Sequence, residues 1–320
     1  MIKLKVLKYV WLIFFLLYCS GCAFINLPSV FPSISQLKEH TLEGEGKNKI
    51  LMMDISGTIS AKDQRNALGI VKEINPVART REVLEKARQD KKIKAILLKI
   101  NSPGGTVTAS DIIYHELKSF KKETGIPIVV TMMDLATSGG YYIALAGDKI
   151  MAHPTTTTGN IGVLMMKFTV RGLMDKLGVE EVTIKSADKK DILSIFAELT
   201  PENQAILQDI IDTLYLRFID TIAESRPDIS REEIKKIADG RIYSAQQALK
   251  LKLIDGIGYI EDSIELAKKE AGLTQAKIIT YQRPSQYKNN IYTQSSSGSP
   301  TPSFPILENL SPQFWYLWHP

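Results

Sequence analysis

Two short segments hold the residues best suited to covalent chemistry at a carbonyl group. Asn101-Ser102-Pro103-Gly104-Gly105 follows a buried strand pattern and precedes a helical one. Adjacent glycines let the backbone turn sharply and leave N–H groups bare, as an oxyanion hole requires. Ala136-Thr137-Ser138-Gly139-Gly140-Tyr141-Tyr142 repeats the arrangement, with a serine at a helix start. A serine there also serves as an N-cap. Capping needs no glycine pair behind it, however, whereas a nucleophile needs open approach and a neighbouring N–H for the developing oxyanion.

A serine nucleophile needs a base. His40 and His319 lie in terminal segments, His115 falls in mid-helix, and His153 closes a strand before Pro154, a structural position. Lysine is the other known partner for serine, and Lys185-Ser186-Ala187-Asp188-Lys189-Lys190-Asp191 offers three. An ordinary lysine, with a pKa of about 10.4, is protonated at neutral pH, so burial must lower it by about 2–3 units before it can accept a proton.

The elements that must position these residues read as alternating strands and helices. Strands are expected at 49–56, 95–100, 127–133, 149–153, 163–170 and 182–185, with helices at 76–92, 108–123, from Ser138, and at 171–178. That alternation implies an α/β fold with a mostly parallel sheet and helices outside. A helical part follows, led by a helix at 201–226 with Thr200 as N-cap and Pro201 in its first position. The segment 23–48 reads as a tether and 49–273 as the catalytic body. Residues 274–320 read as a flexible tail whose Phe314, Trp315 and Trp318 are candidates for docking on a membrane or a neighbouring subunit.

Composition narrows the function. A formal charge of +5 without a basic arm argues against nucleic acid as the main partner. Both cysteines, Cys19 and Cys22, precede the body, which excludes cysteine catalysis and disulfides there. Four scattered histidines argue against a metal site, and no cofactor is expected. Lys3, Lys5 and Lys8 precede the apolar run Tyr9–Tyr18, so residues 1–22 read as an export signal or membrane anchor that places the body outside the inner membrane. Ser20-Gly21-Cys22 is similar to a bacterial lipobox, which makes Cys22 the candidate lipidation site. An uncleaved anchor, about 25 Å long against a core of ~30 Å, and an ordinary cleaved signal are the alternatives.

Taken in order, DISGTIS (54–60), NSPGG (101–105), ATSGGYYIALAGDKI (136–150), TGNIGVL (158–164), KSADKKDI (185–192) and ADGRIYSAQQALKLKLIDGIG (238–258) resemble the signal peptide peptidase A family of serine proteases, relatives of Clp protease and the crotonase fold. The resemblance implies a Clp protease/crotonase-like parallel sheet with a C-terminal helical part, and an endopeptidase for signal peptides or other extended hydrophobic peptides. It implies Ser138 as nucleophile, Lys190 as general base, and Gly104, Gly105 and Gly139 as the oxyanion hole. Asn160 stands where relatives carry a serine that orients the lysine. Longer members join two such domains in one chain, which implies a homo-oligomeric ring for a chain with one copy. The alternatives are a catalytically silent envelope lipoprotein and, less favoured by the export signal, an acyl-CoA hydratase or isomerase.

Overall fold

KILMMDIS, AILLKI and PIVV are continuous apolar runs rather than alternating ones, the pattern of strands covered on both faces. They form the centre of the sheet in the computed structural model, which describes residues 36–65, 71–284, 290–292 and 314–317. In chain order the strands are β1 (Lys38–Glu43), β2 (Lys49–Ser56), β3 (Gln64–Arg65), β4 (Val71–Glu73), β5 (Ile93–Ser102), β6 (Gly104–Thr106) and β7 (Ile128–Thr137), then β8 (Lys149–Ala152), β9 (Thr157–Gly159), β10 (Leu164–Met165), β11 (Ile242–Ser244), β12 (Gly256–Ile257), β13 (Lys277–Gln282) and β14 (Phe314–Leu317).

The main sheet runs β1-β13-β2-β5-β7-β8-β12, and β9 adds to the far end of β7 and pairs with β11. It is mixed rather than uniformly parallel. Every pair from β13 to β12 is parallel, but β1 joins β13 antiparallel and β11 joins β9 antiparallel. Helices 76–89, 107–124 and 139–144, with Phe218, Ile219 and Ile222 of helix 201–225, cover one face. Helix 260–270 covers the other through Ile260, Ile264 and Ala267.

Three expectations change. Residues 163–170 and 182–185 were expected as strands; only Leu164–Met165 is extended in a ladder, and Val182 and Ile184 are 85% and 98% exposed with no strand partner among the described residues. An apolar run becomes a strand only where a neighbour satisfies its backbone. Conversely, β1 lies within the expected tether and β13 within the expected tail, where Ile278, Ile279 and Tyr281 are buried. The export signal, Cys22 and Trp318 lie outside the described residues. No helix among the described residues is long and apolar enough to cross a membrane.

Candidate active site

Strand β7 is long enough to serve two neighbours. Ile128–Met132 lies in the parallel centre, and Leu135–Thr137 pairs with β9. Its end delivers Ser138 to the head of the six-residue helix Gly139–Ala144. Two bonds hold this turn: the Ser138 N–H donates to the Gly159 carbonyl at 2.8 Å, and the Tyr142 N–H to the Ser138 carbonyl at 2.8 Å. Ser138 has φ 53° and ψ −113°, a sparsely populated conformation that costs on the order of 1–3 kcal/mol for a residue with a side chain. Its hydroxyl caps nothing. The Oγ is buried without a hydrogen-bond partner, so the ordinary structural reason for a serine at this position is missing.

The glycine segment reaches Ser138 from β5. Asn101 braces the two strand ends, its Oδ1 accepting from the Leu135 N–H at 3.0 Å. Ser102 donates its hydroxyl to the Gly57 carbonyl at 2.6 Å and accepts the Gly104 N–H at 3.0 Å. That bond occupies one of the three donors named from the sequence, and Gly105 lies opposite Tyr316 in the β6–β14 ladder. The two strands of glycines are in close contact. A Cβ on Gly139 would lie 2.4 Å from Ser110 Oγ and 3.1 Å from the Gly105 nitrogen, and one on Gly105 would lie 1.9 Å from the Ile59 carbonyl oxygen. Only glycine fits there.

The lysine segment is built differently. Lys190 is exposed, on a turn closed by its own N–H to the Ala187 carbonyl at 3.1 Å. Lys189 pairs with Glu202 at 2.5 Å and Lys185 with Asp191 at 2.8 Å. None of the three hydrogen-bonds Ser138, whose Oγ is without a partner. Asn160 has φ 50°, a left-handed conformation that asparagine tolerates. Its Nδ2 donates to the Gly240 carbonyl at 2.6 Å, leaving only its amide oxygen for a lysine. The described histidines are placed elsewhere: His153 contacts Thr155, and His115 contacts Ser119 on its own helix.

Two features were not read from the sequence. Lys99, in mid-strand β5, is a buried cation 3.4 Å from the carboxylate of Asp54, and it donates to the Ile291 carbonyl at 2.9 Å. Burial lowers its pKa to about 8. It shares the packing side of Ile291, within the cluster covered by helix 260–270, and therefore braces the sheet rather than serving Ser138. The charges interrupting two apolar runs, Asp54 and Lys99, were the available signal. The second feature is β14, which pairs antiparallel with β6 on one side and β10 on the other. A Cβ on Gly104 would lie 2.1 Å from the Tyr316 carbonyl oxygen, and one on Gly139 would lie 3.1 Å from it.

A strained serine with an uncommitted hydroxyl beside closely packed glycines has the composition of an acyl-transfer site on an α/β scaffold. Comparison with known proteins narrows the class. Residues 120–274 match the model of Peptidase family S49, and residues 72–161 match that of Clp protease. The chain is 36% identical over 263 residues to a putative signal peptide peptidase SppA of Enterococcus faecium, covering 82% of this chain and 75% of that one. It is 38% identical over 232 residues to a putative protease of Synechocystis sp., covering 72% and 78%. Protease 4 of Salmonella typhi is 37% identical over 203 residues, which are 63% of this chain and 32% of that longer one. A mutant of the 1510-N membrane-bound stomatin-specific protease aligns with a TM-score of 0.44 at 18% identity, covering 69% of this chain and 85% of that one. The chain belongs to the S49 peptidases of the signal peptide peptidase A type, and it is a protease.

Proposed function

We propose that this protease is a membrane-tethered serine endopeptidase of the cell envelope that cuts signal peptides or other extended hydrophobic peptides. Ser138 is the nucleophile, the Gly105 and Gly139 N–H groups receive the oxyanion, and Lys190 of a neighbouring copy is the general base. The observation that carries this reading is the Ser138 hydroxyl: buried, uncapped and unpartnered, at a strained turn beside the glycines. The substrate lies extended along β6 and β10, two short strands whose facing edges take up an extended segment, here β14. Membrane attachment rests on the amino-terminal apolar run and Cys22.

Sharing of the site between copies is supported by the contrast between its two halves. Among the described residues no side chain hydrogen-bonds the Ser138 hydroxyl, while the segment bearing Lys190 leaves Leu173, Leu177, Val179, Val182 and Ile184 exposed by half or more. A head-to-tail ring covers such a segment and brings each Lys190 to the next Ser138. The test is co-assembly of two inactive variants, Ser138→Ala and Lys190→Met. Random mixing of equal amounts restores about a quarter of the sites, those where an intact serine meets an intact lysine from the next chain. Verified mixed oligomers without hydrolysis would overturn the shared site. Signal-peptide preference is tested by identifying the products that wild-type enzyme, but not Ser138→Ala, releases from a mixed peptide library.

A further inference from the structure

The segment that carries Lys190 has internal order without a helix or strand. Its N–H groups close successive turns: Lys190 to the Ala187 carbonyl at 3.1 Å, Ile192 to Lys189 at 3.3 Å, Ser194 to Asp191 at 2.8 Å and Ala197 to Ser194 at 3.3 Å. Each such bond spans three residues, so turns of this kind fix local shape and leave open where the whole segment sits. Lys185 adds a bond to Asp191 at 2.8 Å, which holds that carboxyl below its ordinary pKa. That contact too lies within the segment.

Two kinds of tie reach outside it. Lys189 meets Glu202 in an exposed pair. The others come from residues 167–170. Lys167, half-buried, donates through its ammonium to the Ala197 carbonyl at 2.9 Å and to the Ile192 carbonyl at 3.4 Å. Between them, the Ile195 carbonyl accepts the Val170 N–H at 2.9 Å. An ammonium carries three donors, so it can gather carbonyls from two turns at once, and bonds from a charged donor are stronger than neutral ones. Lys167 therefore clamps both ends of 192–197 to one point. That point lies two residues beyond β10 (Leu164–Met165), the strand along which the proposed function lays the substrate.

We infer that Lys167 is a positioning residue for catalysis: by clamping the Ile192 and Ala197 carbonyls it fixes the stem from which Lys190 reaches the Ser138 of the next copy, and it roots that stem beside the substrate strand. The inference rests on the proposed roles of Ser138 and Lys190. Lys167 acts on the reaction through Lys190 alone. Its effect is geometric, since misplacing a catalytic group by about 1 Å costs on the order of 10²-fold in rate. Without the ammonium the stem keeps the Val170 bond and is free to swing about it.

Steady-state hydrolysis of a fluorogenic peptide by full-length oligomers in detergent, with oligomer size and thermal midpoint measured on the same samples, tests the inference. Lys167→Met is expected to lower kcat by about tenfold to a hundredfold, with KM within about twofold of wild type and with size and midpoint unchanged. Lys167→Arg, which keeps the charge and several donors, is expected to recover part of the loss. Mixed oligomers separate the placement of Lys190 from general loosening. When Ser138→Ala and Lys190→Met chains are paired, Lys167→Met added to the Ser138→Ala chain, the one that supplies the base, should remove most of the restored activity. Added to the Lys190→Met chain, it should change that activity by less than about twofold. A wild-type kcat for Lys167→Met, no recovery with Lys167→Arg, equal losses from either chain, or a loss that tracks a broken oligomer or a lowered midpoint overturns the inference and leaves the proposed function standing. If the pair restores nothing even with Lys167 intact, the shared site falls, and the kcat-against-KM split with the Lys167→Arg recovery decides the role of Lys167. If wild-type protein hydrolyses no peptide, the proposed function and this inference fall together.

Discussion

The turn that carries Ser138 and the segment that carries Lys190 are built to opposite standards. Around Ser138 every neighbour is buried, from Ala136 through Ala146, and the strained turn is held by bonds to Gly159 and Tyr142. From Val179 to Lys190 the chain is mostly exposed and holds no helix or strand. A strained conformation persists only where its surroundings over-determine it, so the proposed nucleophile can be prepared by its own domain. The comparison teaches that half of the proposed dyad is preorganised by folding and the other half awaits a surface that buries it.

The predictions test that contrast, beginning with the largest effect. Ser138→Ala should lower peptide hydrolysis by about 10⁴- to 10⁶-fold with an unchanged thermal midpoint; retention of a tenth of the activity sinks the nucleophile assignment. Lys190→Met should cost nearly as much activity, and because its side chain is exposed within the chain, the midpoint of unassembled protein should not move. If Lys190→Met retains activity and Lys189→Met loses it, the base is one residue earlier than assigned.

Lys99→Met probes the preorganised half without touching the proposed chemistry. It removes the cation beside the buried Asp54 carboxylate, which should cost about 3–5 kcal/mol in denaturant unfolding, while turnover by the protein that remains folded stays near wild type. The Asp54→Asn, Lys99→Met double variant should recover part of the loss, since the buried carboxylate that Lys99 faced is neutralised too. A strict sum of the two single effects would show that the pair does not act as a unit. The smallest effect is expected for Lys189→Met. Its exposed pair with Glu202 is worth at most about 1 kcal/mol, so both activity and midpoint should stay within twofold and a few degrees of wild type.

Much of this architecture was legible along the chain, for local reasons. Pro201 behind Thr200 starts a helix wherever it occurs, and the Thr200 hydroxyl does accept from the Asn203 N–H at 3.2 Å. The glycine pairs at 104–105 and 139–140 announced backbone approaches that no side chain could share, and each is found in one. The runs at 49–56 and 95–100 were apolar at every core position but Asp54 and Lys99, as a strand covered on both faces requires. What failed were segments whose state depends on a distant partner. Among the described residues no strand lies beside the apolar residues of 182–185, whereas KIITYQ, at the start of what reads as a tail, is paired with both β1 and β2.

The sequence by itself determined which atoms are available for the reaction: one serine at a strand-to-helix turn, bare glycines before it and behind it, lysines but no well-placed histidine, and no cysteine in the body. These are properties of residue type and near neighbours, and they do not change with the path of the chain. Only the tertiary structure decided that the Ser138 hydroxyl is left without a partner, that the Gly104 N–H is taken by Ser102, that Lys190 stays in solvent, and that Tyr316 lies across the glycines. Each of these is a contact between residues far apart in sequence, set by which surfaces the fold brings together and which backbone edges it leaves to be satisfied.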